Sequence, residues 1–146
     1  MKKKLIGRKD ILNFPRLKLE GIEVKIDTGA YSSSIHCRYI KLEQKNGKKV
    51  ITYVLLDPTH PKYNGKKFTS STFKEKYVKS SNGVSEKRFV ITTDVLIYEE
   101  KYKIELSLTE RGEMRFPILI GRKLLIGKFI VDPSKTNLSF KEQKNS

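Results

Sequence analysis

The sequence predicts one small all-β domain with a single short helix near its C-terminus, and three observations carry that prediction. Ile22, Val24 and Ile26 alternate with Glu23 and Lys25, and Tyr102, Ile104, Leu106 and Leu108 repeat the same spacing. This is the period-two pattern of strands that lay one face on a core. Asn46-Gly47 and Ser81-Asn82-Gly83 are hairpin turn signals set between such runs. With 146 residues, 37% apolar and 32% charged, the chain can bury one core and needs no second. We therefore expect one domain over residues 1–140 and a basic tail over 141–146.

In chain order, Lys3 to Arg8 reads as a short strand and Phe14-Pro15 as a break before Leu17 and Leu19 resume alternation. Glu20-Gly21 reads as a hairpin turn, which delivers the strand Ile22–Ile26 to Asp27-Thr28-Gly29-Ala30. Ser32-Ser33-Ser34 leaves that loop, either as a source of hydrogen bonds near the carboxylate or as a solvated serine turn. Asn46-Gly47 joins a strand over 40–45 to one over 48–56, and residues 57–61 form a loop. From Lys62 to Lys79, Tyr63, Phe68, Phe73 and Tyr77 interleave with lysines. We read the aromatics as anchors of a hairpin and the lysines as its solvated face. After the turn at Ser80 to Gly83 comes a long strand from Arg88 through Ile97, and Glu99-Glu100 reverses the chain. Pro117 opens a last apolar strand that Gly121 closes. Lys123 to Ile126 make about one helical turn, and Val131-Asp132-Pro133 and Leu138-Ser139-Phe140 finish the domain.

Lys and Arg outnumber Asp and Glu 31 to 16, a formal net charge of +15, so the surface attracts acidic peptides or other polyanions. The single cysteine, Cys37, excludes an intramolecular disulfide and fits a reducing, cytoplasmic compartment. The basic start lacks the apolar stretch of a signal peptide, and no run is long enough to span a bilayer. No nucleic-acid motif accompanies the basic balance, which makes nucleic acid the disfavoured partner; binding of that kind would weaken steeply with salt.

The stretch with chemical content is Asp27-Thr28-Gly29-Ala30. A strand runs directly into a carboxylate followed by small residues, so backbone or substrate can approach it closely. A bare Asp-Thr-Gly arises by chance in about three chains in a hundred of this length, so the weight falls on what accompanies it. Ile6-Gly7-Arg8-Lys9, Ile26-Asp27-Thr28-Gly29-Ala30, Ser81-Asn82-Gly83, Glu86-Lys87-Arg88-Phe89-Val90-Ile91, Met114-Arg115-Phe116-Pro117-Ile118-Leu119-Ile120-Gly121-Arg122 and Val131-Asp132-Pro133 span nearly the whole chain. Together these blocks resemble the retropepsin-like aspartic proteases of bacteria and archaea often labelled "ATP-dependent zinc protease", which are associated with RimK-type ATP-grasp ligases.

The resemblance implies a closed β-barrel and a homodimeric aspartic peptidase with one catalytic carboxylate per chain. Asp27, Thr28 and Gly29 would be its catalytic residues: Thr28 would bond across the two-fold axis and Gly29 would donate to the carboxylate. Ala30, Ser81, Asn82, Gly83, Arg88 and Arg122 would contact substrate, the turn at Ser81 to Gly83 serving as the tip of a flap. Asp10, Asp57, Asp94 and Asp132 lack a following Thr-Gly or Ser-Gly, so the second carboxylate must come from a second copy. The substrate would be a peptide or a glutamate tail, with Arg8, Arg88, Arg115 and Arg122 as candidate carboxylate binders, and a functional link to an ATP-grasp ligase follows from the same resemblance. The zinc and ATP of the label find no support in the residues. There is no His-Glu-x-x-His, no paired-cysteine spacing and no phosphate loop, so no cofactor is expected. His36, Cys37, Asp57 and His60 would form a metal site only if long-range folding assembled them. The competing function is a catalytically silent barrel that binds an acidic peptide or partner protein.

Overall fold

The alternation of the sequence folds into strands β1 (Lys4–Ile6), β2 (Lys9–Phe14), β3 (Leu19–Ile26), β4 (Ser33–Lys45), β5 (Lys48–Leu55), β6 (Lys67–Ser70), β7 (Lys74–Lys79), β8 (Ser85–Ile97), β9 (Glu100–Thr109), β10 (Ile118–Ile120) and β11 (Phe129–Val131). Two helices accompany them, α1 (Arg122–Leu125) and α2 (Leu138–Lys144). The computed structural model describes residues 2–79, 82–110 and 115–144.

Six strands form a closed ring in the order β10-β3-β2-β8-β9-β4, with β4 returning to β10. Closure depends on the shortest of them. β10 lies parallel to β3, Ile118 opposite Val24, and antiparallel to β4, Ile118 opposite Ile35. A strand with neighbours on both edges and packing on both faces favours an unbroken apolar run over alternation, and Ile118-Leu119-Ile120 is such a run. Ile118 and Ile120 are both 0% exposed, each contributing about 1.5–3 kcal/mol of burial. The all-β closed barrel is therefore the fold, with α1 directly after Gly121 where the short helical turn was expected.

Three local expectations are corrected. First, the β2–β3 turn is not Glu20-Gly21 but a helical turn over Pro15–Leu17, closed by Lys18 in the left-handed region. Proline presets φ and has no N–H to lose at the start of such a turn. Gly21, at φ +62°, instead occupies a bulge where the β2–β3 register slips, its N–H donating to Asn13 Oδ1 at 2.7 Å. Second, the segment from 62 to 79 is not one hairpin. β6 pairs with β5 while β7 pairs with β8. Phe68 stacks on Tyr53 and Phe73 meets Phe89 edge-on, so these aromatics do anchor, but Tyr77 is 69% exposed.

Third, α2 runs from Leu138 through Phe140, expected to finish the domain, on into residues 141–144, expected to be tail. Its first N–H groups need acceptors, and the carboxylate of Asp10, 1% exposed, supplies them across the sequence. Asp10 Oδ2 accepts from Ser139 N–H at 3.0 Å and Oδ1 from Phe140 N–H at 3.1 Å. Burial raises the Asp10 carboxyl above its ordinary range against the lowering effect of these bonds.

The Asn46-Gly47 hairpin is present, both residues at positive φ (52° and 77°), as a tight turn matched to strand twist requires. β7 and β8 form a second hairpin, Lys79 opposite Ser85. Of its connection, Ser81 lies outside the described residues, while Gly83 takes φ +84° and Asn82 Oδ1 accepts the Val84 N–H at 3.2 Å.

Candidate active site

β3 and β4 flank β10, and the loop that joins them carries Asp27 over the end of the keystone strand. The loop is held by backbone. Asp27 N–H donates to Ile120 O at 2.8 Å, Arg122 N–H to Ala30 O at 2.8 Å, and Lys123 N–H to Tyr31 O at 2.9 Å. Within the loop Ala30 N–H reaches Asp27 O at 3.2 Å. Gly29 N–H donates to Asp27 Oδ1 at 3.1 Å, and a Cβ on Gly29 would stand 3.3 Å from that oxygen. The Asp27 side chain is half-buried, Thr28 and Gly29 are exposed, and no ion pair engages the Asp27 carboxylate among the described residues. A carboxylate held from below by backbone and open above can meet a second carboxylate or a substrate.

Two residues beneath the loop set its position. Ser33, 4% exposed, accepts the Gly121 N–H at its Oγ at 2.9 Å. Gly121 itself lies against the loop's backbone: a Cβ there would come within 2.5 Å of Ser32 O and 2.6 Å of Tyr31 O. The serine run is thus neither a set of carboxylate donors nor a solvated turn. Ser33 bonds Gly121, Ser32 receives Lys76 Nζ at 2.8 Å, and neither hydroxyl reaches Asp27. The spacing of β3, loop and β10 was legible in sequence, but the Ser33–Gly121 contact spans 88 positions and carries no local signal.

The four candidate arginines make separate contacts. Arg122 Nη1 donates to Thr28 O at 2.9 Å, which ties α1 to the loop and leaves less of the guanidinium for a ligand. Arg8 Nη1 reaches Pro133 O at 3.3 Å, and Arg115 lies over the Phe116 ring. Arg88, on β8 opposite Lys76 in the hairpin, stands 3.6 Å from Glu86, and its buried Nε has no hydrogen-bond partner among the described residues. Ala30 is half-buried within the loop, and Asn82 and Gly83 sit at the distal end of the β7–β8 hairpin.

His36, Asp57 and His60 line a second cavity, of about 210 Å³, and their contacts test the zinc label. His36 Nε2 lies 3.0 Å from Asp57 Oδ2, and Asp57 is also bonded by Thr59. His60 Nδ1 accepts the Lys62 N–H at 3.0 Å, while burial lowers its pKa. Cys37 is buried with Sγ directed to Ile35 O, and burial pushes its thiol up, away from the thiolate that binds metal. Among the described residues no three His, Cys, Asp or Glu side chains converge as metal ligands, so these four do not fit a zinc site.

Comparison with known proteins identifies the family. The chain is 34% identical over 136 residues to a "Probable alpha-L-glutamate ligase" of Shewanella pealeana, covering 90% of this chain and 29% of that protein. A protein of the same name from Desulfotalea psychrophila is 31% identical over 132 residues, covering 90% and 28%. The chain thus spans under a third of the curated relatives it matches. In fold it resembles a Legionella pneumophila crystal structure of unknown function, with a TM-score of 0.69 at 24% identity, over 94% of this chain and 99% of the other. Residues 5–142 match the family model described as RimB-like, retropepsin-like aspartic endopeptidase RimB, and the chain belongs to that family.

Proposed function

We propose that this chain is one half of a homodimeric aspartic peptidase that hydrolyses peptide bonds or the amide bonds of a glutamate tail. The observation that carries the reading is the half-buried Asp27 carboxylate, presented by a backbone-held loop with a single N–H donor and open on the side where Thr28 and Gly29 are exposed.

One such carboxylate cannot run the chemistry alone. Peptide hydrolysis by this route needs one carboxylate as base and one carboxylic acid as donor, close enough to share a proton. A two-fold axis between Asp27 and its symmetry mate supplies both from one sequence. The ionised carboxylate takes a proton from water as the water oxygen bonds to the carbonyl carbon, and the protonated one gives its proton to the carbonyl oxygen. On collapse the C–N bond breaks, the departing nitrogen takes the proton held by the first carboxylate, and one hydroxyl of the intermediate returns its proton to the second, which leaves the carboxylic acid product and restores the pair. Gly29 N–H holds Asp27 Oδ1 in place throughout, and the β7–β8 hairpin, with Asn82 and Gly83 at its end, serves as the flap that excludes water. Arg122 acts on this reading as a positioning residue for the loop.

The net charge of +15 supports an acidic substrate. The relatives' name, a glutamate ligase, supports a functional link to the enzyme class that makes such tails. Asp27→Asn tests the reading: it removes the charge and the shared proton but preserves shape. Hydrolysis of a glutamate-rich peptide should fall to background with melting temperature unchanged, and specific activity of the wild type should rise with protein concentration as dimers form. Wild-type turnover by Asp27→Asn would exclude the aspartic mechanism, and binding of acidic peptide with no turnover by either protein would favour the silent binder.

A further inference from the structure

A cavity of about 690 Å³ is walled by the outgoing arm of the catalytic loop, by β7, β8 and β9, and by α1. Asp27 does not line it. Five lysines do, Lys74, Lys76, Lys103, Lys123 and Lys128, against the two carboxylates of Glu75 and Glu105. No run in the sequence announces this cluster, because its members come from two strands, the short helix and the turn after it. Register assembles part of it: Thr92 stands opposite Glu105 and Asp94 opposite Lys103, so period-two alternation puts Glu105 and Lys103 on one face.

The cavity already binds one carboxylate. Glu105 is held by Lys74 at 2.7 Å and by Lys123, and these two ammonium groups hold its pKa down at about 2. Lys76 is bonded to Ser32 Oγ. The ammonium groups of Lys103 and Lys128 have no ion-pair partner among the described residues. The cavity therefore shows how it takes a carboxylate and retains cations to take more. Its apolar wall, including Val90 and Leu124, suits the methylenes of a glutamate side chain. Tyr31 is the one aromatic ring lining it and already lies under Arg122, whereas single-stranded nucleic acid is held by successive stacking rings.

We propose that this cavity is a carboxylate-binding exosite that seats acidic side chains of a peptide whose neighbouring residues enter the Asp27 site. Ser32, at the cavity wall, can lie no farther than about 17 Å from Asp27, five residues at the extended limit of ~3.5 Å each, so one short extended peptide reaches both. The proposal rests on the peptidase reading for what happens next to the peptide, but the binding stands without catalysis.

Its test therefore uses the full chain carrying Asp27→Asn. Labelled hexaglutamate, hexaglutamine and a single-stranded oligonucleotide are titrated by fluorescence anisotropy at fixed ionic strength. Lys103→Gln with Lys128→Gln in that background should weaken hexaglutamate binding at least tenfold. Lys45→Gln with Lys48→Gln, at the β4–β5 turn and of equal charge change, should weaken it less than twofold, with hexaglutamine unbound throughout. Circular dichroism and melting of each variant confirm that the fold is kept. Equal losses in both pairs would mean diffuse attraction and overturn the exosite, as would an oligonucleotide that binds more tightly through the same two lysines. If hexaglutamate binds as expected yet wild type hydrolyses nothing, the peptidase reading fails and the exosite survives.

Discussion

The Asp27 loop and the β7–β8 hairpin face the same space, and they are held by different means. The loop is fastened mainly through backbone: Asp27, Ala30 and Tyr31 exchange main-chain groups with β10 or α1, Thr28 O accepts from the Arg122 guanidinium, and Gly121 admits no side chain beneath them. The hairpin is a two-strand extension of the barrel, β7 pairing among the described residues with β8 alone, and what ties it to the rest of the site is side-chain charge. Lys76 reaches Ser32, and Lys74 shares Glu105 with Lys123. Contacts of the second kind are each worth about 0–1 kcal/mol at a surface, and Tyr77 and Val84 stand exposed at 69% and 62%. On the proposed reading, a site built this way keeps its reacting group still and lets its cover move at small energetic cost.

The largest effect that sharpens this contrast should come from Gly121→Ala. Gly121 sits at φ −88°, a conformation open to any residue, so backbone strain is not at issue. The added methyl meets two main-chain oxygens at 2.5 and 2.6 Å, which no rotamer change relieves. Overpacking of this sort costs about 1–3 kcal/mol, or roughly 4–12 °C in melting temperature for a domain of this size. It displaces the Asp27 loop, so turnover should fall by about a hundredfold. A variant that melts and turns over like wild type would show that the loop is not held from below by this contact.

Next comes a matched pair of turn substitutions. Gly83 and Gly47 sit at φ +84° and +77° respectively, and a Cβ on either meets nothing within 4 Å. Valine at the two positions therefore carries the same local strain, about 1 kcal/mol or somewhat more, and lowers the melting temperature by a similar few degrees. Under the proposed flap role, only Gly83→Val should also cut turnover, by about tenfold or more. Equal activity of Gly83→Val and Gly47→Val in steady-state assays would remove the flap role.

What the sequence made legible follows the range of the interactions. The barrel's strands, the Asn46-Gly47 turn and the apolar Ile118–Ile120 run are written in local alternation and turn chemistry, and they were read correctly. Gly21 was read as a turn because a glycine at positive φ serves a bulge as well as it serves a hairpin, and only the Pro15 turn six residues upstream decides between them. The helix over Leu138–Lys144 was hidden because its N–H acceptor is Asp10, 129 positions away from Ser139. The same reason hid Ser33 beneath Gly121 and the lysine cavity. The arginines come from the resemblance and the basic balance, which name carboxylate binders without showing that Arg122 bonds the Thr28 carbonyl.

The smallest predicted effect tests the electrostatic tie of the hairpin. Glu105 binds Lys74 of β7 and Lys123 of α1 together, so Glu105→Gln releases both at once. Two surface pairs contribute about 1 kcal/mol in sum, so the melting temperature should drop by only about 4 °C. Amide exchange should quicken along β7 and leave residues 27–33 unchanged, since the loop's bonds are backbone and independent of Glu105. The pH dependence has a defined sign. The Glu105 carboxyl is lowered from 4.5 to about 2 in the folded protein, so its stabilisation is complete above pH 4.5 and disappears as pH falls through about 2. The difference in melting temperature between wild type and Glu105→Gln should therefore be constant from pH 7 to about 5, shrink below that, and shrink also at pH 7 in about 0.5 M salt. A difference that persists unchanged into acid, or exchange that quickens equally in β7 and in the loop, would mean that Glu105 supports the barrel as a whole. The two regions would then be held by one network, and the division between a still site and a movable cover would fail.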